Sequence, residues 1–202
     1  MSQPLHFYFD FISPYGYFAS LRIDTLAARH GRSVAWHTML LGVSVMKVMG
    51  LKPLLDTPLK GPYVKRDVWR YARQHGITLG RDLDAPGMNP LTVARAFCWA
   101  QQHHADSAKA LAQVMLHGYW VEGLDLSTPS ALSLPKLPVG IDGAELIAAV
   151  QGEEAARLLR TDVEASLAAG VFGSPTVVVD GEIFWGVDKL DDVAHWLETG
   201  GW

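Results

Sequence analysis

Leu5-His6-Phe7-Tyr8-Phe9-Asp10-Phe11-Ile12-Ser13-Pro14-Tyr15-Gly16 is the stretch whose reading decides the fold. Residues 5–9 form a short, aromatic-rich run, which favours a buried strand. Ser13-Pro14 then reads as a helix start. A serine can cap the first turn, and proline fits the first helical position, where no N–H is needed. The spacing predicts a helix from Pro14 to about His30, with Gly31 as its C-cap. Residues 33–39 alternate and include Val34 and Trp36, so they read as a second strand. Strand, helix and strand within so short a span make a βαβ unit with parallel strands.

The other end of the chain mirrors this. Residues 153–169 predict a helix with Leu158, Leu159, Val163 and Leu167 on one side, ended by Gly170. Residues 176–179 and 182–185 are strand-like, and Asp180-Gly181 between them is a strong hairpin signal, because a type I′ turn needs φ > 0 twice. A closing helix is predicted over 188–198. Between the two ends the pattern is helical. Helices are predicted over 62–75 (with Tyr63, Val64, Val68 and Tyr71), over 91–104 behind Asn89-Pro90, over 107–120 and over 144–150. Three prolines make 127–140 a mostly irregular connection. The order is βαβ, a helical block, then αββα. This is an α/β, thioredoxin-like topology, with residues 1–40 and 153–202 as the thioredoxin-like domain and 41–152 as an all-helical insertion domain.

Composition excludes several functions. The chain has 202 residues, 49% of them hydrophobic and 19% charged, which is too apolar for disorder. Seventeen basic against 21 acidic residues gives 17 − 21 = −4, and no basic stretch is long enough to track a phosphate backbone. No uninterrupted apolar run approaches ~18 residues, so no membrane span is expected. No signal peptide is read at the N-terminus, and a cytoplasmic protein is expected. The one cysteine, Cys98, rules out an internal disulfide, a two-cysteine redox site and a multi-cysteine zinc site. It lies between Phe97 and Trp99 and reads as a small core residue. No histidine pair has ligand spacing, so no metal is expected. Lys60, Lys65 and Arg66 read either as a basic rim for anions or as a solvated helix start. Tyr63, Trp69 and Tyr71 read equally as pocket lining or core.

An open α/β sheet places chemistry beyond the carboxyl end of its strands. That place here holds Ser13-Pro14-Tyr15-Gly16. Thioredoxin-like redox proteins carry C-x-x-C there. With Ser13 and Gly16 in those two positions, dithiol chemistry is excluded. Backbone N–H groups and the positive end of a helix remain to stabilise an anion, and a serine hydroxyl suits a thiolate brought by a ligand. Ser13 also reads as an N-cap and nothing more. The second feature is Phe172-Gly173-Ser174-Pro175-Thr176. In this topology a cis-proline opens the strand and faces the first helix, and the residue before it offers its backbone N–H and C=O to an extended peptide. An ordinary trans-proline at a strand start is the other reading.

These motifs carry a resemblance. Phe7-Tyr8-Phe9-Asp10-Phe11-Ile12-Ser13-Pro14-Tyr15 resembles the opening of the 2-hydroxychromene-2-carboxylate isomerases and kappa-class glutathione transferases. Gly170-Val171-Phe172-Gly173-Ser174-Pro175-Thr176 and Trp185-Gly186-Val187-Asp188-Lys189-Leu190 resemble their C-terminal signature. Lys47 with Gly50, Lys60-Gly61-Pro62-Tyr63 and Asn89-Pro90-Leu91 fit between, so the likeness covers nearly the whole chain. It implies a DsbA-like fold, commonly dimeric, with glutathione as cofactor and a small aromatic carboxylate as substrate. It implies that Ser13 hydrogen-bonds the glutathione sulfur. The backbone of Ser174, beside Pro175, would pair with the cysteinyl unit, and Val187 and Asp188 would hold the γ-glutamyl end. Lys47 would meet the substrate carboxylate. Leu51 stands where the family commonly has an asparagine, Lys189 where it has an arginine, and Val187 where it often has a polar residue. The implied reaction is thiolate addition to a conjugated carbon, ring opening, bond rotation and loss of the thiolate, giving a benzylidene-pyruvate. A glutathione transferase or peroxidase, and a non-catalytic thiol-peptide binder, are the alternatives on the same motifs.

Overall fold

The computed structural model describes residues 3–202. Strand β1 (Leu5–Phe9) is central, because it pairs on both sides. Its neighbour β2 (Val34–Thr38) is parallel, with Phe7 opposite Trp36. Strand β3 (Thr176–Val179) is antiparallel to β1, with Phe7 opposite Val177, and β4 (Glu182–Trp185) closes the sheet in the order β2-β1-β3-β4. The Asp180-Gly181 turn joins β3 to β4, both residues at positive φ as the sequence requires.

The alternation of β1 sorts its side chains. Phe7 and Phe9 are fully buried against Trp36, and Phe9 also meets Phe97 edge to face. Full burial of each such ring contributes about 1.5–3 kcal/mol. Tyr8 points the other way, into a smaller apolar cluster with Met39 and Val171.

The helical region supplies α3 (Lys60–Gln74), α4 (Leu91–His103), α5 (Ala105–Trp120) and α6 (Gly143–Gln151), each within a few residues of its expected range. Asp142 caps α6 by accepting from Glu145 N at 2.8 Å. Helix α7 (Glu153–Ala168) packs on α4, and α8 (Leu190–Thr199) covers β3 and β4. One buried apolar cluster runs from Leu5 through Phe97 and Leu116 to Val193, so the helical block and the sheet share a core.

Two differences from the sequence reading matter for the site. The helix expected over 14–30 is two helices, α1 (Pro14–Ser20) and α2 (Ile23–Arg29). The Ser20 hydroxyl donates to the Tyr17 carbonyl at 2.7 Å, and Arg22 N bonds back only three residues, to Ala19 O. Such local side-chain bonding competes with the helical ladder and tightens the turn. A wide, π-type turn over Gly42–Val48, with Met49 N reaching Ser44 O, precedes α3. No periodicity in the sequence announced it.

Candidate active site

Ser13 is the N-cap of α1: its extended backbone (φ −92°, ψ 115°) leaves the strand, and its Oγ accepts from Gly16 N at 3.0 Å. The same Oγ donates to the carbonyl of Ser174 at 2.9 Å, across 161 residues of chain. The Ser174–Pro175 bond is cis, as the motif led us to expect. Ser174 is itself held: its Oγ accepts from Asp10 N at 2.9 Å, and Pro175 O accepts from Gly186 N at 3.0 Å. Gly16 lets α1 come this close, since a Cβ there would sit 2.7 Å from Ser174 Oγ.

Asp10 organises this corner and was missed as a functional residue. Its side chain is fully buried, accepts from Ile12 N at 3.2 Å and Leu41 N at 2.7 Å, and its carbonyl takes Ser13 N at 3.0 Å. One residue thus ties the Ser13 loop, the Ser174 loop and the entry to the 42–48 turn. Burial pushes its carboxyl up to about 6, and the backbone donors of Leu41, Ile12 and Phe11 only partly oppose that. The sequence signal was slight: one acid ending an apolar strand.

Ser13 and Ser174 open onto a cleft of about 1210 Å³ that separates them from the 42–57 segment, α3 and the loop before α4. Leu40, Val43, Met46, Val64, Leu83 and Trp120 give it an apolar wall, and Phe172 and Trp185 meet at its rim, their ring centres 5.0 Å apart and their planes tilted by 59°. Four cations line it. Lys65 is paired with Asp84, and Arg81 donates to Pro86 O while its guanidinium lies 4.3 Å over the Tyr119 ring. Lys52 and Lys60 have no ion pair among the described residues and so stand available to an anion. Arg81 and Tyr119 gave no motif to find; one is on a loop and the other reads as core.

The expected site residues do not all converge. Ser13, Ser174 and Leu51 line the cleft. Pro175 is buried directly behind Ser174. Val187 is buried and Asp188 exposed in a turn (Val187–Lys189) that packs against α1, flanking Tyr15 rather than lining the cleft. Lys47 is exposed and outside the lining, because the wide turn sends Val43, Val45 and Met46 inward and leaves Lys47 on its outer side. Tyr15 borders the cleft, but its hydroxyl donates to Asp67 at 2.7 Å, and burial together with that carboxylate pushes its pKa well up. The Cys98 thiol is buried, and burial with Asp162 nearby drives it far up, which makes it a poor nucleophile. Of the remaining candidates, Lys60 and Lys65 reach the cleft; Tyr71 stacks on Phe18 instead, at 4.7 Å.

Two similar proteins carry the name 2-hydroxychromene-2-carboxylate isomerase. The one from Sphingobium xenophagum is 27% identical over 98% of this chain and 99% of its own length. The one from Pseudomonas putida is 28% identical over 91% of this chain and 89% of its own. A solved structure of a 2-hydroxychromene-2-carboxylate isomerase superposes with a TM-score of 0.80 at 26% identity, covering 97% of this chain and 95% of that one. The family model described as a DSBA-like thioredoxin domain matches residues 4–198, and with the cis Ser174–Pro175 bond facing the capped first helix, the chain belongs to that family.

Proposed function

We propose that the protein is a glutathione-dependent isomerase acting on small aromatic carboxylates of the 2-hydroxychromene-2-carboxylate type. The observation that carries the reading is the meeting of the Ser13 hydroxyl with the Ser174 main chain at the mouth of an apolar cleft. The isomerase relatives over nearly the full length support it. Glutathione fits the residues present. Ser174 lines the cleft, and among the described residues its N–H has no hydrogen-bond partner, which suits an extended peptide added as a strand. Lys52 and Lys60 suit its carboxylates and those of the substrate.

When bound, glutathione supplies the sulfur nucleophile that this single-cysteine chain lacks. Ser13 Oγ is the donor that favours the ionised sulfur. Ser174 and Pro175 set the position of that sulfur; the resemblance gives the γ-glutamyl end to Asp188 and the Val187 backbone, which lie beside Tyr15 at the edge of the cleft. The apolar wall and the Phe172–Trp185 rim exclude water from the aromatic substrate. The resemblance gives Lys47 the substrate carboxylate; from its outer position it would need the 42–48 turn to move, so we assign the first contact to Lys52 and Lys60, with Leu51 packing on the ring. Each is a point charge, which suits a carboxylate without fixing its orientation. The reading carries a cytoplasmic homodimer. Among the described residues no helix is long and apolar enough to cross a membrane.

The test is calorimetry with glutathione followed by product analysis. Saturable binding and conversion of a chromene-carboxylate to its benzylidene-pyruvate isomer support the reading. A thioether product from a chlorinated aromatic, with no isomerisation, would make the protein a transferase. Absence of binding at millimolar glutathione would leave a thiol-peptide binder for some other ligand.

A further inference from the structure

The Ser13 hydroxyl has no proton to spare. A hydroxyl carries one donor; Ser13 is 3% exposed, its Oγ accepts from Gly16 N at 3.0 Å, and it donates its one proton to Ser174 O at 2.9 Å. Helix α1 is only seven residues long, so its dipole is weak, and Gly16 N is already spent on Ser13 itself. A ligand sulfur arriving here gains the Ser13 hydroxyl as a donor only if that hydroxyl lets go of Ser174.

We propose that the Ser174 carbonyl holds the Ser13 hydroxyl in reserve and releases it only to a thiol ligand that brings its own main-chain N–H. This rests on the reading of the site given above and adds to it a rule for which thiols are activated. Ser174 cannot swing away, because Asp10 N is bonded to its Oγ, Gly16 packs against that oxygen, and Gly186 N holds the next carbonyl. The hydroxyl is therefore the part that turns. The N–H of Ser174, a residue that lines the cleft, has no partner among the described residues and marks the edge along which a peptide would lie. The Ser174 carbonyl exchanges the Ser13 proton for a ligand N–H and stays hydrogen-bonded throughout. The freed hydroxyl turns to the sulfur, and the thiol proton leaves to solvent. The exchange runs downhill because a hydrogen bond to an anion is roughly twice as strong as one to a neutral carbonyl. A thiol with no adjacent N–H leaves the Ser174 carbonyl without a protein or ligand donor if it draws the Ser13 hydroxyl away, which disfavours the exchange. The site thus distinguishes peptide thiols from simple ones by hydrogen-bond count, not by shape.

The test follows thiolate absorbance of the bound ligand against pH, for glutathione and for its depsipeptide analogue with an ester oxygen in place of the cysteinyl N–H, each at saturation. On the wild-type protein, the glutathione thiol is expected to titrate about one unit below the depsipeptide thiol, a tenfold difference in thiolate at neutral pH. Ser13→Ala is expected to bring the two together. Equal acidity of the two ligands on the wild type, or a difference that survives Ser13→Ala, overturns the proposal. If the depsipeptide does not bind, S13C decides the matter with the thiol-free peptide γ-glutamyl-alanyl-glycine. Binding is expected to make the introduced thiol more acidic as it loses the Ser174 carbonyl, and unchanged acidity overturns the exchange. Failure of glutathione itself to bind removes the function reading and the exchange together; binding with equal acidity removes the exchange alone.

Discussion

At the scale of single residues, two hydrogen-bonding groups set the behaviour of the site. Ser13→Ala removes the hydroxyl that donates to the Ser174 carbonyl. Loss of one donor to a developing anion costs ~10²–10³ in rate, so kcat for isomerisation near neutral pH should fall by about that factor. An unchanged kcat would refute the role given to Ser13. Asp10 makes a prediction about stability. Its folded carboxyl sits at about 6 against an unfolded value of 3.8. The native state therefore holds its proton more tightly than the unfolded chain does. The stabilisation that this proton brings is fully present below the unfolded value and is lost as pH rises through about 6. Asp10→Asn cannot titrate and deletes that slope, though it also forfeits one of the bonds from Ile12 or Leu41. In urea titrations at several pH values, the stability of wild type relative to Asp10→Asn should fall by up to about 3 kcal/mol between pH ~4 and ~7. A relative stability that climbs with pH instead would mean that the backbone donors, not burial, govern this carboxyl.

At the scale of elements, α1 approaches the loop before β3 closely, and Gly16 permits it. Alanine is the better helix former, so propensity alone predicts that Gly16→Ala stabilises α1. The structure predicts the opposite, because the new Cβ would lie 2.7 Å from Ser174 Oγ and 3.2 Å from Ser13 Cβ. Overpacking of this kind costs about 1–3 kcal/mol, and the midpoint of thermal unfolding should drop. Adding Ser174→Ala removes the struck oxygen, so the double variant should be less destabilised than the sum of the two single ones. Strict additivity would show that the two side chains do not meet. The break between α1 and α2 belongs to this scale too. Proline and serine at the start of α1 were legible, while the break at Leu21–Arg22 was not, because both halves keep the same apolar period.

At the scale of the whole molecule, binding should stabilise the fold. A ligand that binds only the native state adds about 2.7 kcal/mol at a hundred times its Kd, so the melting temperature should climb steadily with glutathione concentration and be indifferent to the same concentration of glycylglycine. A flat response to glutathione would count against the cofactor. Light scattering should return twice the mass of the 202-residue chain if the expected homodimer forms. The hairpin at Asp180-Gly181 and the positions of α3 to α8 were readable from the chain alone, and the facing of Pro175 and the capped first helix followed from the thioredoxin-like topology they imply. Local grammar carries them: a cap followed by proline, a two-residue turn needing positive φ, a period of two or of 3.6. What the chain alone left open was which side chains would face the cleft. Lys47 fell outside it, Lys52, Lys60 and Arg81 inside it, and Asp10 turned out to bind three segments together. Those outcomes depend on how far a wide turn rotates and on contacts between residues up to 164 positions apart. Local propensity fixes the elements because it acts within a few residues. The orientation of each side chain toward the site is fixed by close packing and by the need to satisfy buried polar groups, and both act only once the elements have met.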